Sequence, residues 1–166
     1  MQGYYIAVRM ILPLLIHEAL ITWMHLLAAS IWVGGTIFLG VVVAPVLRYG
    51  LRSDLERFNL TIMIGKRFNK VAIPTLAVLL STGVYKAVTT PEFLLSTMYG
   101  SILFVKVGVV ISMLIIWLLH MKLSNMIDVN DSVKLMRVRL RARILGNILV
   151  VQSVTVLFLA AMLDSF

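Results

Sequence analysis

The strongest constraint on this chain is a run of about 29 residues, Ala19 to Leu47, in which the only ionisable side chain is His25. A membrane helix needs roughly 20 mostly apolar residues, so this run crosses a bilayer with length to spare. The imidazole sits inside it, in Trp23-Met24-His25-Leu26-Leu27-Ala28-Ala29-Ser30-Ile31-Trp32-Val33-Gly34-Gly35. An ionisable group at membrane depth is costly and marks a functional site by default.

Three further spans follow. Phe68 to Thr90 carries Lys70 and Lys86 near its ends, where long stems reach back to the headgroups. Met98 to Met121 carries Lys106 and His120, and Ile144 to Leu163 is apolar apart from Asn147, Gln152 and small hydroxyl residues. A hydrophobic fraction of 61% and a mean hydropathy of +1.02 lie outside the range of water-soluble domains. The expectation is therefore all-α: one integral membrane four-helix bundle over residues 1–166, with spans at about 18–46, 68–90, 98–121 and 144–163.

The net charge of +8 is sorted by loop. Arg48, Arg52, Arg57, Lys66, Arg67 and Lys70 surround the first connection, and Lys122, Lys134, Arg137, Arg139, Arg141 and Arg143 the third. The other side holds Arg9 and Lys86 with Glu18, Glu92 and Asp164. The positive-inside rule then predicts cytoplasmic basic loops in a cytoplasmic membrane and an N-out/C-out topology. This charge reads as an orientation signal with affinity for the lipid bilayer's anionic headgroups, and not as a nucleic-acid surface, because no exposed aromatics interleave with it.

Met1 to Leu15 has no cationic start and no small-residue cleavage site, so no cleaved signal peptide is expected. Pro13 is expected to separate a short interfacial helix (Tyr4, Tyr5, Arg9, Met10) from the first span, or to kink it. An amphipathic helix on the cytoplasmic face is expected at about 50–66, from Leu51, Leu55, Phe58 and Ile62. Thr90-Pro91-Glu92 reads as an outer turn or helix start. The absence of cysteine excludes disulfides, thiolate metal sites, iron–sulfur clusters and covalent c-type haem.

At 1.5 Å per residue, His25 and Lys106 fall at similar depth below the outer boundary, with His17 and Glu18 at the rim and Gln152 near the middle. An outward-facing polar cluster of His17, His25, Lys106 and Gln152 is geometrically allowed. His120 lies at the cytoplasmic end, roughly 15–20 Å deeper than His25, so the two are poor axial ligands for one haem. Lys106, Met113 and His120 recur every seven residues and share a helix face; the line is either a polar seam through the bundle or a packed interface with wet ends. Met10, His17 and Met24 are also spaced by seven and share a face if the helix is continuous through Pro13. Thioether and imidazole together suit copper. Against these readings stand plainer ones: His25 as an interhelical hydrogen-bond donor, Lys106 as a lysine reaching the interface, His17 and His120 as interfacial residues, Met as an adaptable packer. Gly34, Gly35, Ala28 and Ala29 permit close helix approach.

The segment His25 to Gly35 resembles the His-containing first helix of the CopD-type copper-resistance membrane domain. Arg67-Phe68 leading into Ser81-Thr82-Gly83, then Tyr99-Gly100 followed by Lys106, resembles that family's second and third helices. The resemblance runs from about Trp23 to Asn125 and rests on the order and spacing of these short motifs. An acidic residue found in the fourth helix of many CopD relatives is Gln152 here. More distantly, the chain resembles the HemJ-type four-helix haem-binding family, whose first-helix histidine and third-helix lysine map onto His25 and Lys106.

Three functions follow as expectations. CopD-like copper handling at the outer face uses His25 as metal ligand, with His17 and Met24 assisting and Met113 and His120 as an exit route. A b-type haem protein uses His25 as axial ligand, with Lys106 in the cofactor site and Trp23, Trp32 and Phe38 lining the macrocycle. A non-catalytic subunit of a larger membrane complex, or a homo-oligomer, uses its polar residues for packing.

Overall fold

A computed structural model describes residues 2–50, 53–89, 97–125 and 132–165. Arg52, the turn at Thr90-Pro91-Glu92, and the side chains of Tyr4, Tyr5, Arg9, Met10, Leu55, Lys134 and Arg139 lie outside what is described. Among the described residues every element is helical. α1 (Gln2–Ala29) passes through a π-helical turn (Ser30–Gly34) into α2 (Gly35–Phe38). A second π-turn (Leu39–Val43) leads to α3 (Ala44–Gly50), so the first span is one rod. Then come α4 (Asp54–Thr89), α5 (Met98–Asn125) and α6 (Ser132–Asp164). Among the described residues, four stretches are long and apolar enough to cross a membrane: Ile11–Gly50, Glu56–Thr89, Met98–Leu123 and Met136–Asp164. The chain is a multi-pass membrane protein by that measure.

Two local expectations change. Pro13 lies inside α1 and does not separate a shorter helix from the span. Proline removes one amide donor, and a membrane helix absorbs that loss through neighbouring turns and hydroxyls. Pro45 has a visible effect: it cannot donate to the carbonyl of Val41, which lies within the second π-turn. The segment expected as a separate surface helix at about 50–66 is instead continuous, from Asp54 onward, with the second span in the 36-residue α4. Its one glycine before Pro74 is Gly65, and a single glycine costs about 1 kcal/mol, too little to end a helix of this length.

The rods alternate in direction. α1 packs antiparallel on α4, and α5 antiparallel on α6, while the π-turn segment and α2 join the two hairpins by packing on α6. One apolar layer ties all four spans together: Trp32 and Val33 from the first, Ala72 from α4, Met113 from α5 and Leu149 from α6. The Trp32 and Trp117 rings meet edge to face at 5.3 Å, a favoured aromatic geometry. Lipid tails are as apolar as these side chains, so the layer is held by close packing more than by water exclusion. Close approach depends on two glycines. A Cβ at Gly35 would overlap the Phe68 ring, and one at Gly40 would overlap the Val150 side chain. Gly34 faces open space. This arrangement gives the bundle two unlike ends, one with Glu18 and Lys86 and one crowded with arginine and lysine.

Candidate functional site

The first span presents Glu18, Thr22 and His25 at spacings of four and three, one stripe on a helix face. α4 presents Tyr85 and Lys86 three and four residues after Thr82. Antiparallel packing brings the stripes together as three cross-helix contacts. The deepest pairs His25 Nδ1 with Thr82 Oγ1 at 2.9 Å. Next, Lys86 Nζ donates to Thr22 Oγ1 at 3.3 Å. Nearest the surface, the Tyr85 hydroxyl donates to Glu18 Oε1 at 2.6 Å. His17 stands at this rim, 58% exposed, with Nδ1 3.8 Å from Glu18 Oε1 and its ring edge-on to Tyr85 at 5.8 Å.

Thr82 has one hydroxyl proton, which goes to the Val78 carbonyl at 2.6 Å, with the Leu79 carbonyl a longer acceptor at 3.3 Å. A hydroxyl spent in this way meets His25 Nδ1 with a lone pair, which favours a proton on that nitrogen. The Leu79 backbone also hydrogen-bonds the imidazole. A ring oriented by an acceptor on one nitrogen is the usual preparation of a histidine ligand at the other. Gly83 makes room for the ring: a Cβ there would stand 3.2 Å from Cε1.

His25 and Lys106 share a level, as expected. His25 is seven residues from Trp32, and Lys106 seven from Met113, so each stands about 10.5 Å above the same apolar layer. Lys106 and Lys86 are both within electrostatic reach of the imidazole. Gln152 does not join them. It lies three residues from Leu149, about 4.5 Å above the layer, and donates through Nε2 to Ser112 Oγ at 2.8 Å. Its Oε1 is buried without a partner.

The remaining candidates are scattered. His120 hydrogen-bonds the Ala142 carbonyl of α6, seven residues beyond Met113 and about 21 Å from the level of His25. Met113 is 4% exposed inside the apolar layer, so the line of Lys106, Met113 and His120 is a packed interface with polar ends and not a continuous seam. With α1 unbroken at Pro13, His17 and Met24 share a helix face, and Met24 is 41% exposed. Among the described residues, no three His, Asp or Glu side chains gather as a metal cage. Trp32 is in the apolar layer, whereas Trp23 and Phe38 point outward, so these three form no common wall.

Sequence reasoning missed Thr82 as the partner of His25, and the pairings of Tyr85 and Lys86. The signal was present in their helical spacing, opposite an equally spaced stripe on the first span. Comparison with protein-family models, curated proteins and solved structures finds no match to this chain.

Proposed function

We propose that this chain is a b-type haem-binding redox protein of the cytoplasmic membrane, in which His25 would hold the haem iron. The observation that carries the reading is the Thr82 contact, which orients the imidazole and favours a proton on Nδ1, with Nε2 the nitrogen that would meet the iron. The charge around that nitrogen selects the kind of ligand. Lys86 and Lys106 repel a lone metal cation, but they attract carboxylates such as the two propionates of haem. The donors that support haem are the imidazole, seated against Gly83, the Lys106 ammonium at its level, and the Lys86 ammonium about one helical turn nearer the Glu18 end. When bound, haem would supply one-electron chemistry. The protein's part is to orient the imidazole, pair the carboxylates and keep the inner side dry. The charge asymmetry supports a cytoplasmic basic end with both termini outside.

A second reading is CopD-like copper capture at the outer face. It is favoured by the exposed His17 and Met24 on one face of α1, a thioether–imidazole pair suited to Cu(I). The packing of Met113 against Trp32 and Val33 opposes onward passage to His120.

The test is a reduced-minus-oxidised visible spectrum of protein expressed with ample haem, beside Cu(I) competition titrations of the same preparation. The haem reading expects a near-stoichiometric Soret band with b-type α and β peaks, lost in His25→Ala. A featureless spectrum with Cu(I) binding that His17→Ala and Met24→Leu weaken would replace it with copper capture. A featureless spectrum, no Cu(I) binding and stoichiometric copurifying proteins would replace both with the subunit role.

A further inference from the structure

The bundle is tied together at one level and open at another. Along the first π-turn, the first span packs on both α4 and α6. From Gln2 to Ala29 its packed neighbour is α4, and among the described residues α4 and α5 share no packed interface. The α1–α4 and α5–α6 hairpins therefore meet at the apolar layer and part above it, toward the Glu18 end. The gap between α4 and α5 opens sideways, to the lipid.

Two lysines face this gap, Lys86 from α4 and Lys106 from α5, within electrostatic reach of each other and of His25. Lys86 is tied to Thr22. Lys106 is partly buried and, among the described residues, has no hydrogen-bond acceptor. Acidic groups are scarce at this level. Glu18 accepts from Tyr85, and the first span has no acidic residue from 19 to 47. α4 has none beyond Glu56, α5 none at all, and α6 none before Asp164. Charges at membrane depth are costly and are almost always paired, so two facing ammonium groups call for a shared anion.

We propose that this gap holds one anionic phospholipid of the leaflet at the Glu18 end, its phosphate between Lys86 and Lys106 and an acyl chain reaching toward the apolar layer. Basic pockets between membrane helices bind anionic lipid headgroups, and ammonium–phosphate contacts are charge-assisted hydrogen bonds. Depth fits this orientation. Lys106 stands at the level of His25, and Lys86 about one turn, or roughly 5 Å, nearer the headgroups. α5 begins at that end, so the Lys106 stem leans toward it. Deeper in the gap, Ser112 and Gln152 are bonded to each other, and the floor is Trp32, Val33, Met113 and Leu149. The body of the ligand therefore meets mostly hydrocarbon. The sideways opening selects a bilayer lipid over an anion arriving from water. A haem would present its carboxylates to the same two ammonium groups, so the lipid is the occupant that a cofactor displaces.

Neither the gap nor the lysine pair depends on the haem reading, so the test uses haem-free, full-length protein. Lysine is 15N-labelled, and the protein is placed in phosphatidylcholine liposomes with or without phosphatidylglycerol, in phosphate-free buffer. Dephasing of the lysine Nζ signals by 31P reports nitrogens in contact with phosphorus, and Lys106→Gln assigns the Lys106 signal. That signal is expected to be dephased with phosphatidylglycerol and to lose the effect severalfold in phosphatidylcholine alone. Lys86→Gln is expected to weaken the Lys106 contact severalfold, and Lys86→Arg, which keeps the charge, to retain it. In native mass spectrometry, wild type is expected to retain one phosphatidylglycerol more than Lys106→Gln, a variant that breaks no hydrogen bond and so should fold. Equal dephasing in the two liposomes, none in either, or equal lipid retention would overturn the proposal. So would a Lys106 contact that appears in phosphatidylcholine liposomes once inorganic phosphate is added, which would assign the site to a free anion.

Discussion

Replacing Thr82 with valine tests the site at its hinge. The substitution keeps the branched shape and withdraws the hydroxyl that faces His25 Nδ1. Two responses are open to the ring. If the proton stays on Nδ1, a part-buried N–H loses its partner. That costs about 1–3 kcal/mol in a water-soluble protein, against an average of about 0.6 and a maximum near 1.7 for side-chain hydrogen bonds between membrane helices. If the proton moves to Nε2, stability recovers, but the lone pair at the ligand position is gone. Loss of such an orienting partner weakens a metal–histidine bond about 10–100-fold. The expected outcome is therefore a loss of about 1 kcal/mol in unfolding free energy, or a change of tautomer with at least tenfold weaker ligand binding. Histidine 15N shifts report the tautomer, steric trapping in bicelles reports stability, and Thr82→Ser should behave as wild type. A Thr82→Val protein with unchanged stability, unchanged tautomer and unchanged binding would refute the reasoning.

Two further predictions concern the scaffold. Gly35→Ala should destabilise by about 1–3 kcal/mol, the usual cost of overpacking, because the new methyl overlaps the Phe68 ring. Gly34→Ala, one residue away and facing open space, should be neutral or mildly stabilising by thermal unfolding in detergent. His120→Ala should cost about 0.6–1.7 kcal/mol for its bond to Ala142 and leave the visible spectrum and the Cu(I) titration of the purified protein unchanged, since it sits on the far side of the apolar layer.

The spans were legible because apolar length alone identifies them, and their charge asymmetry predicted which loops belong together. The level of His25 and Lys106 was also legible, since depth follows from counting residues along antiparallel rods. Rotation about each helix axis was not. A helix in lipid is apolar all round, so composition does not mark the face that meets a neighbour. Gly34 and Gly35 read alike in sequence, yet only Gly35 meets another helix. For the same reason Lys106, Met113 and His120 left two readings open until Met113 was found in the apolar layer. The continuity of α4 was hidden by its changing composition: a basic, mixed segment and an apolar one look like two elements, although nothing between them breaks a helix.

The apolar layer at Trp32 and Met113 also has an electrical consequence. It separates polar groups above from polar groups below, so the transmembrane voltage falls partly across the cross-helix contacts above it. A charge held at the level of His25 and Lys106 lies about a third of the way across a ~30 Å hydrocarbon core. One elementary charge moved through the whole drop gains about 2.3 kcal/mol per 100 mV, so a third is worth about 0.8. That is roughly a fourfold change, for each 100 mV, in the occupancy of any singly charged group held at that level.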